Sequence, residues 1–409
     1  MDTFTTILVV SADVLAVIAM IFWIFLAIRI AMEITAVPDI RAGLSMEKSG
    51  KNLPPVVVII PAHNEETKIG DLLNSLRALR YPHLQIILAM DRCTDRSVEI
   101  AREISGDDKR VQIITIDECP DGWAGKVNAA YQGALASGVI EQEESNAWLL
   151  FSDADTVFHP DLVTASIRYC LQKNLGFLSL HSTLSTKHWF ERLVQPVTAA
   201  QFLQIYPLRK ANRDKKRRPV ANGQFMLFSR EAYIAAGTHK AVRRFLLEDL
   251  VFARKLDKAN VRMGMLPAGD MLSCAMYDSF AEFREGWKRI FIEALHWKIK
   301  RLKKAANRQR LIGISLLIIL LVNFIAMFFD NPGEGLLRFG ILVAAQIVIL
   351  SPVYHRQRVS ALLALFYPVG VFMLADILSE AARDLEKKKE VSWGGRKYLL
   401  ESRSGETMV

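Results

Sequence analysis

The sequence predicts an α/β domain with a mostly parallel sheet covered by helices on both faces, set between apolar membrane-spanning segments. Three observations predict it. Short β-branched runs alternate with amphipathic stretches through the middle of the chain. Polar residues gather directly after several of those runs. The 51 % hydrophobic content is uneven: the first 35 residues and residues 311–378 are strongly apolar, and the middle has an ordinary soluble composition.

Ile7–Ile28 is long enough to cross a bilayer, which takes about 20 apolar residues. A cleaved signal would carry a basic start and a small-residue cleavage site. This run instead starts after Asp2 and carries Phe22, Trp23 and Phe25 in its distal half, so it reads as an anchor (1–35). Asp13 is a costly residue inside it and is expected at the interface. Leu311–Phe329 and Leu337–Val353 read as two further spans, and Leu362–Leu378 as a fourth apolar stretch interrupted at Pro368-Val369-Gly370. Arg29, Arg41, Lys48 and Lys51 follow the first span, against Asp2 before it, which places the middle domain in the cytosol. The 330–335 turn is then outside, and His355, Arg356 and Arg358 inside. The basic tail (379–409) also favours the inside, so the fourth stretch is expected to be a re-entrant hairpin. The full layout is an anchor, an α/β domain (54–275), an amphipathic interfacial helix (276–308), two spans plus a hairpin (309–378) and a cytosolic tail. The layout is that of an integral membrane protein of the plasma or inner membrane of a bacterium. Cys93, Cys119, Cys170 and Cys274 show no metal-ligand or redox spacing.

Val56–Ile60, Ile86–Leu88, Val111–Ile114 and Trp148–Phe151 read as buried strands. Between them, Ile69–Leu79, Thr94–Ile104 and Lys126–Ala136 read as helices. In such sheets ligands bind beyond the carboxyl ends of the strands. PAHNEE (61–66), DRCTD (91–95) and SDAD (152–155) sit at those ends, so one shared ligand site is expected there. No Walker A sequence and no G-x-G-x-x-G follows a strand, which argues against a P-loop or Rossmann dinucleotide site.

Asp153 and Asp155 have the i, i+2 relation and would point to one face of a regular strand. Two ionised carboxylates so placed repel each other, and a hard divalent cation removes that penalty. Such a cation commonly takes one or two carboxylates and completes its shell with substrate phosphates. The pair therefore predicts Mg²⁺ or Mn²⁺ with a phosphorylated ligand, although D-x-D alone is common and a helix cap before Pro160 is the plain alternative. Glu248-Asp249 opens the helical stretch EDLVFARKLDKA, where acids are also favoured by the helix dipole alone.

Taken in order, PAHNEE, DRCTD, GWAGKVNA (122–129), SDADT (152–156), NGQFMLFSREAY (222–233) and LLEDLVFA (246–253) resemble the family 2 glycosyltransferases. The resemblance covers roughly residues 54–300. It implies the GT-A fold, a Rossmann-like nucleotide-sugar-binding domain. The flanking apolar segments, Met276-Tyr277 with Glu285–Lys288, and Trp393–Tyr398 are similar to the membrane-bound branch with carotenoid-acid and hopene-associated enzymes, and more distantly to ceramide glucosyltransferase. It implies that Pro61, Ala62 and Glu65 line the base and ribose pocket and that Asp91 contacts uridine. Lys126 would face the nucleotide. Asp153 and Asp155 would form the metal and diphosphate site, with Asp155 the direct ligand, and Asp249 would be the catalytic base of an inverting transfer. Glu248 and Trp287 are expected near the acceptor. Two departures stand out: Met90-Asp91 replaces a paired aspartate, and Leu247 replaces a threonine found in some members.

Trp189–Tyr206, followed by the basic run Arg209–Arg218, and Phe280–Leu302 read as interfacial, since basic amphipathic helices with Trp and Phe lie on anionic membranes. The net charge of +9 would also suit nucleic acid, but no aromatic readout motif accompanies it, so no nucleic-acid partner is expected. The sequence thus predicts transfer of a sugar from a nucleotide donor, UDP-linked, to a membrane lipid hydroxyl or carboxyl. A processive polysaccharide synthase is the nearest alternative, but its Q-x-x-R-W pattern is absent: Phe283 and Gly286 stand at the Gln and Arg positions before Trp287. A non-catalytic scaffold is a third reading, disfavoured because the three aspartates are present.

Overall fold

In the computed structural model, which describes residues 3–46, 53–245, 247–329, 331–388, 390–393 and 396–399, the N-terminal apolar run is one helix, α1 (Thr3–Ile34). Ile7, Val14, Ile21 and Phe25 are more than half exposed on it, while Ala12, Ala19 and Trp23 are buried. A helix surface this apolar suits hydrocarbon rather than water. Asp13 is not isolated: Arg338 pairs with it at 2.7 Å and also donates to Asn323. Lys48, Lys51, Leu246, Asp330, Gly394 and Gly395 lie outside the described residues.

A continuous β-branched run needs cover on both faces of its strand. β1 (Val56–Ala62) is buried at all of its positions. Val56, Val58 and Ile60 join one apolar cluster with α2 (Ile69–Arg77), and Val57 and Ile59 join another on the opposite face. β1 is central in a seven-stranded sheet with β2 (Leu84–Asp91), β3 (Val111–Ile116), β4 (Trp148–Phe151), β5 (Phe177–His181), β6 (Met226–Ser229) and β7 (Met263–Pro267). The order is β3-β2-β1-β4-β6-β5-β7, with β6 antiparallel to both neighbours and every other pairing parallel. Helices α3 (Ser97–Ser105), α4 (Gly125–Ala136) and α5 (Leu162–Lys173) complete the crossovers.

Register brings the chemistry together. Ile59 lies opposite both Ile87 and Phe151, so the chain leaves β1, β2 and β4 at one rim. The turn after β4 is fixed by Ser152 Oγ, which donates to the Gln224 carbonyl at 2.6 Å, and by Thr156 Oγ1, which donates to the Asp153 carbonyl at 2.8 Å.

α6 (Gln195–Ile205) precedes β6 and α7 (Glu248–Lys258) precedes β7; after the sheet come α8 (Phe280–Ala294), α9 (Ile299–Ala326), α10 (Pro332–Arg356) and α11 (Tyr367–Glu386). The single interfacial helix expected over 276–308 is corrected here to two. The chain turns between α8 and α9 with His296 and Trp297 both at positive φ, 60° and 57°. Nor does the apolar face of α8 lie on lipid: Phe283, Trp287 and Phe291 are buried together with Leu374, Leu378 and Ala382 of α11. Lys288 pairs with Glu285 and Asp384 at 2.6 and 2.7 Å, and Arg284 pairs with Glu380. Likewise Phe190, Val194 and Val197 are buried in that cluster, leaving Trp189 exposed. Helical periodicity marks a face that must be covered, but it does not say whether lipid or protein covers it.

Among the described residues, four helical stretches are long and apolar enough to cross a membrane: Thr3–Ile34, Ile299–Ala326, Gly333–Arg356 and Ala361–Glu386. The last has an unusual path. A 3₁₀ segment, Ala361–Phe366, lies beside α10, where Gln346 Nε2 donates to the Ala364 carbonyl at 2.7 Å. Pro368 then sits in the first turn of α11. α11 returns along α9, with Phe372 beside Gly313, Asp376 3.3 Å from Arg310 and Glu386 3.0 Å from Lys303. Residues 379–386, expected in the tail, therefore belong to a helix. Glu390–Trp393 and Arg396–Leu399 pair as an antiparallel hairpin.

Candidate active site

Carboxylates at one rim repel unless cations or protons intervene. The rim here encloses a cavity of about 570 Å³ lined by Pro61, Ala62, Glu65, Asp91, Lys126, Asp153, Asp155, Glu248, Asp249 and Trp287. Every site residue expected from the sequence is thus brought to one cavity, although Asp91 and Glu248 are separated by over 150 positions. The carboxyl ends of parallel strands supply Pro61, Ala62, Glu65, Asp91, Asp153 and Asp155, the first turn of α4 supplies Lys126, the start of α7 supplies the two acids, and α8 closes the side with Trp287.

Lys126, in the first turn of α4, is the cation that the sequence left to a metal. Its Nζ lies 2.6 Å from Asp153 Oδ1 and 2.9 Å from Glu248 Oε1. Burial by itself lowers its pKa, but the two carboxylates outweigh burial and raise it well above the ordinary range. Asp155 has no such partner on its Oδ1, which is buried without a hydrogen bond. Burial and the Asp153 charge push Asp155 up to about 6. Burial, then Asp155, pushes Glu65 up to about 7. Asp91 is held by its neighbour: Arg92, at φ 48°, folds back so that Nε and Nη2 donate to Oδ1 and Oδ2 at 3.0 and 2.6 Å.

Asp249 is oriented by the backbone. Its Oδ2 accepts from Gly223 N at 2.9 Å and its Oδ1 from Leu250 N at 2.7 Å. Burial, then Glu248, raises its pKa to about 7, with Lys126 opposing. Gly223 keeps this contact uncrowded: a Cβ there would sit 3.1 Å from Lys126 Nζ and 3.6 Å from Asp249 Oδ2. The site therefore offers two carboxyls near neutrality, Asp249 and Glu65, the carboxylate pair Asp153 and Asp155, and a lysine that bridges Asp153 to Glu248.

A model of the glycosyltransferase-like family 2 matches residues 54–279. The chain belongs to that family. A 4,4'-diaponeurosporenoate glycosyltransferase of Staphylococcus aureus is 24 % identical over 374 residues, 88 % of this chain and 92 % of that protein. For the enzyme of another strain the alignment is 26 % identical over 254 residues and spans 64 % of that relative and 61 % of this chain. Among solved structures, a Pyrobaculum calidifontis mannosyltransferase in complex with GDP-Man and Mn²⁺ covers 91 % of this chain and 98 % of its own, at 15 % identity and TM-score 0.47. A glucosyl-3-phosphoglycerate synthase of Mycobacterium tuberculosis with Mn²⁺ and UDP covers 62 % of this chain and 81 % of its own, at 15 % identity and TM-score 0.39.

Within this family 2 site several residues escaped the sequence reading. Lys68 lines the cavity and pairs with Asp278 at 3.2 Å. Cys274 meets Asp155, and His181 and Ser182 form the wall at the end of β5. No local signal marks any of them, because each arrives through a different strand end or helix. Tyr277 explains the departure at Gly286: a Cβ there would overlap the Tyr277 ring and hydroxyl, so the phenol fills the space that an arginine would need.

Proposed function

We propose that this family 2 enzyme transfers a sugar, with inversion, from a UDP-linked donor to a lipid acceptor at a membrane surface, in a divalent-cation-dependent reaction. The observation that carries it is Asp249: a carboxyl oriented by two backbone amides, poised near neutrality, in one cavity with Asp153 and Asp155. A general base works best when its pKa lies near the working pH.

The donor set suits a divalent cation. Asp155 Oδ1 is buried and unpartnered beside Asp153, and among the described residues no group of three or more His, Cys, Asp or Glu forms a self-sufficient metal cage. Two carboxylates that leave the rest of the shell to a diphosphate are what Mg²⁺ or Mn²⁺ accepts. Asp155 and Asp153 would hold the ion, which when bound neutralises charge on the departing diphosphate. Asp249 would take the acceptor proton. Glu248 would keep Lys126 charged and directed at the phosphates. Pro61, Ala62, Glu65 and Asp91 would frame the nucleoside, and Trp287 would face the acceptor with its buried, unpartnered Nε1.

A lipid acceptor is supported by the four long apolar helices and by the relative named for diaponeurosporenoate. The topology read here has the domain in the cytosol, with both ends of residues 357–386 on its side. The test is transfer from radiolabelled UDP-sugars to membrane extracts. A low-mass, solvent-extractable product lost in Asp155→Ala and Asp249→Asn is expected. Long polymer would point to the polysaccharide synthase instead, and full turnover in either variant would sink the residue roles.

A further inference from the structure

A second cavity, of about 950 Å³, lies between the family 2 domain and the long helices α1, α9 and α10. It is graded along those helices. Phe22 and Leu26 of α1, Ile312 of α9 and Leu350 of α10 line its apolar part. One to two turns nearer the domain, on the same three helices, stand Arg29, Arg308 and Arg356. Arg29 and Arg308 are close enough for each charge to be felt by the other, and Arg308 Nη2 donates at 2.8 Å to Gln201 Oε1, a neutral partner. Of the acids that share the lining, Glu33 accepts from Arg209 N, Asp39 accepts from Arg41 N and faces Arg356, and Asp270 pairs with Arg41 outside the lining. His181 and Ser182 line this cavity and the catalytic one alike. Ser182 Oγ donates to Gln224 Oε1, whose residue also lines the catalytic cavity.

An apolar cleft that ends in arginines matches a molecule with a long hydrocarbon part and one anionic end. We propose that this cavity binds a single-chain anionic lipid, with its chain between α1, α9 and α10 and its charged end on Arg29, Arg308 and Arg356. From there His181 and Ser182 open toward the donor site. The inference rests on the proposed lipid transfer for its purpose, and it narrows the acceptor from any lipid hydroxyl or carboxyl to an amphiphile bearing an anion. A neutral lipid alcohol would leave Arg29 and Arg308 facing one another, with Asp39 answering Arg356 alone.

The test uses the full chain in nanodiscs of neutral phosphatidylcholine, with three fluorescent probes of equal chain length: a carboxylate, a monophosphate and an alcohol. The anionic probes should bind at least tenfold more tightly than the alcohol. Preference for the carboxylate would mark a lipid acid as the occupant, and preference for the monophosphate a lipid phosphate. Arg29→Gln with Arg308→Gln should weaken the anionic probes about tenfold and leave the alcohol unchanged. Ala200→Phe, on α6 in the cavity wall, should weaken all three. UDP binding should stay intact in every variant, which shows that the domain remains folded. Equal binding of the alcohol, or anionic binding untouched by the arginine changes, would overturn the proposal. Slow hydrolysis of the UDP-sugar without any lipid reports on the donor site separately, so failure of the transfer reading is distinguishable from failure of this one.

Discussion

Asp249 and Lys126 show how two side chains divide the work of one cavity. A carboxyl with a pKa near 7 is a base only when deprotonated. Turnover should therefore rise with pH through about 7 and level off above it. Asp249→Asn should remove that limb and cost roughly 10²–10⁴-fold in rate while UDP affinity holds. Lys126 sits 2.6 Å from Asp153, where its charge repels an incoming cation. Lys126→Met should bind Mn²⁺ several-fold more tightly without nucleotide, by electron paramagnetic resonance, and bind UDP more weakly. Weaker Mn²⁺ binding in that variant would refute the lysine's place as the resident cation. Glu65 and Asp155 keep their protons to higher pH in the folded chain than in the unfolded one. The folded state then binds more protons between about pH 4 and 7, so these groups' contribution to stability falls as pH rises through that window. Asp155→Asn should flatten the fall, measured as thermal midpoints at pH 5 and 7.5. Mn²⁺ with UDP should do the same for the unmodified chain.

At the scale of elements, strands were more legible than helices. The strand Trp148–Phe151 has the ends that the sequence predicts, because a four-residue apolar run flanked by Asn-Ala and Ser-Asp is too short for a buried helix. Phe280–Leu302 was read as one lipid-facing helix and is two protein-covered ones. The partner that covers it, α11, arrives some ninety residues later, and no local pattern announces it. Lys288 and Arg284 likewise looked like solvated charges until Asp384 and Glu380 met them. Gly286 of α8 leaves no room for a side chain beside Tyr277. Gly286→Ala should drive a methyl into Tyr277 and cost about 1–3 kcal/mol, read as a lowered thermal midpoint. Combined with Tyr277→Ala, it should cost less than the sum of the two single changes, since the clash is then gone.

On the scale of the whole molecule, we propose that the path of residues 357–386 resolves a conflict of charge. Four full crossings would put the basic tail opposite the domain. The 3₁₀ segment beside α10 and the return of α11 along α9 bring both ends of that stretch to the domain's side. Single cysteines at Ser360 and Glu386, in a chain freed of its four native thiols, should label from the side of the domain. A cysteine at Gly335 should label from the other. Labelling of positions 360 and 386 from opposite sides would restore a full fourth crossing.

What the sequence determined by itself was the set of chemical ends. β-branched runs demand a two-sided sheet, and parallel strands send their carboxyl ends to one rim, so Glu65, Asp91, Asp153 and Asp155 were bound to meet. The tertiary structure decided what faces them. It placed Lys126 between Asp153 and Glu248, left Asp155 Oδ1 without a hydrogen bond, turned Arg92 onto Asp91, and set an arginine-ended cavity next to the candidate site. The physical reason is range. Periodicity and turn chemistry act over a few residues, whereas charge neutralisation and burial are settled between side chains that come close only after the chain has folded.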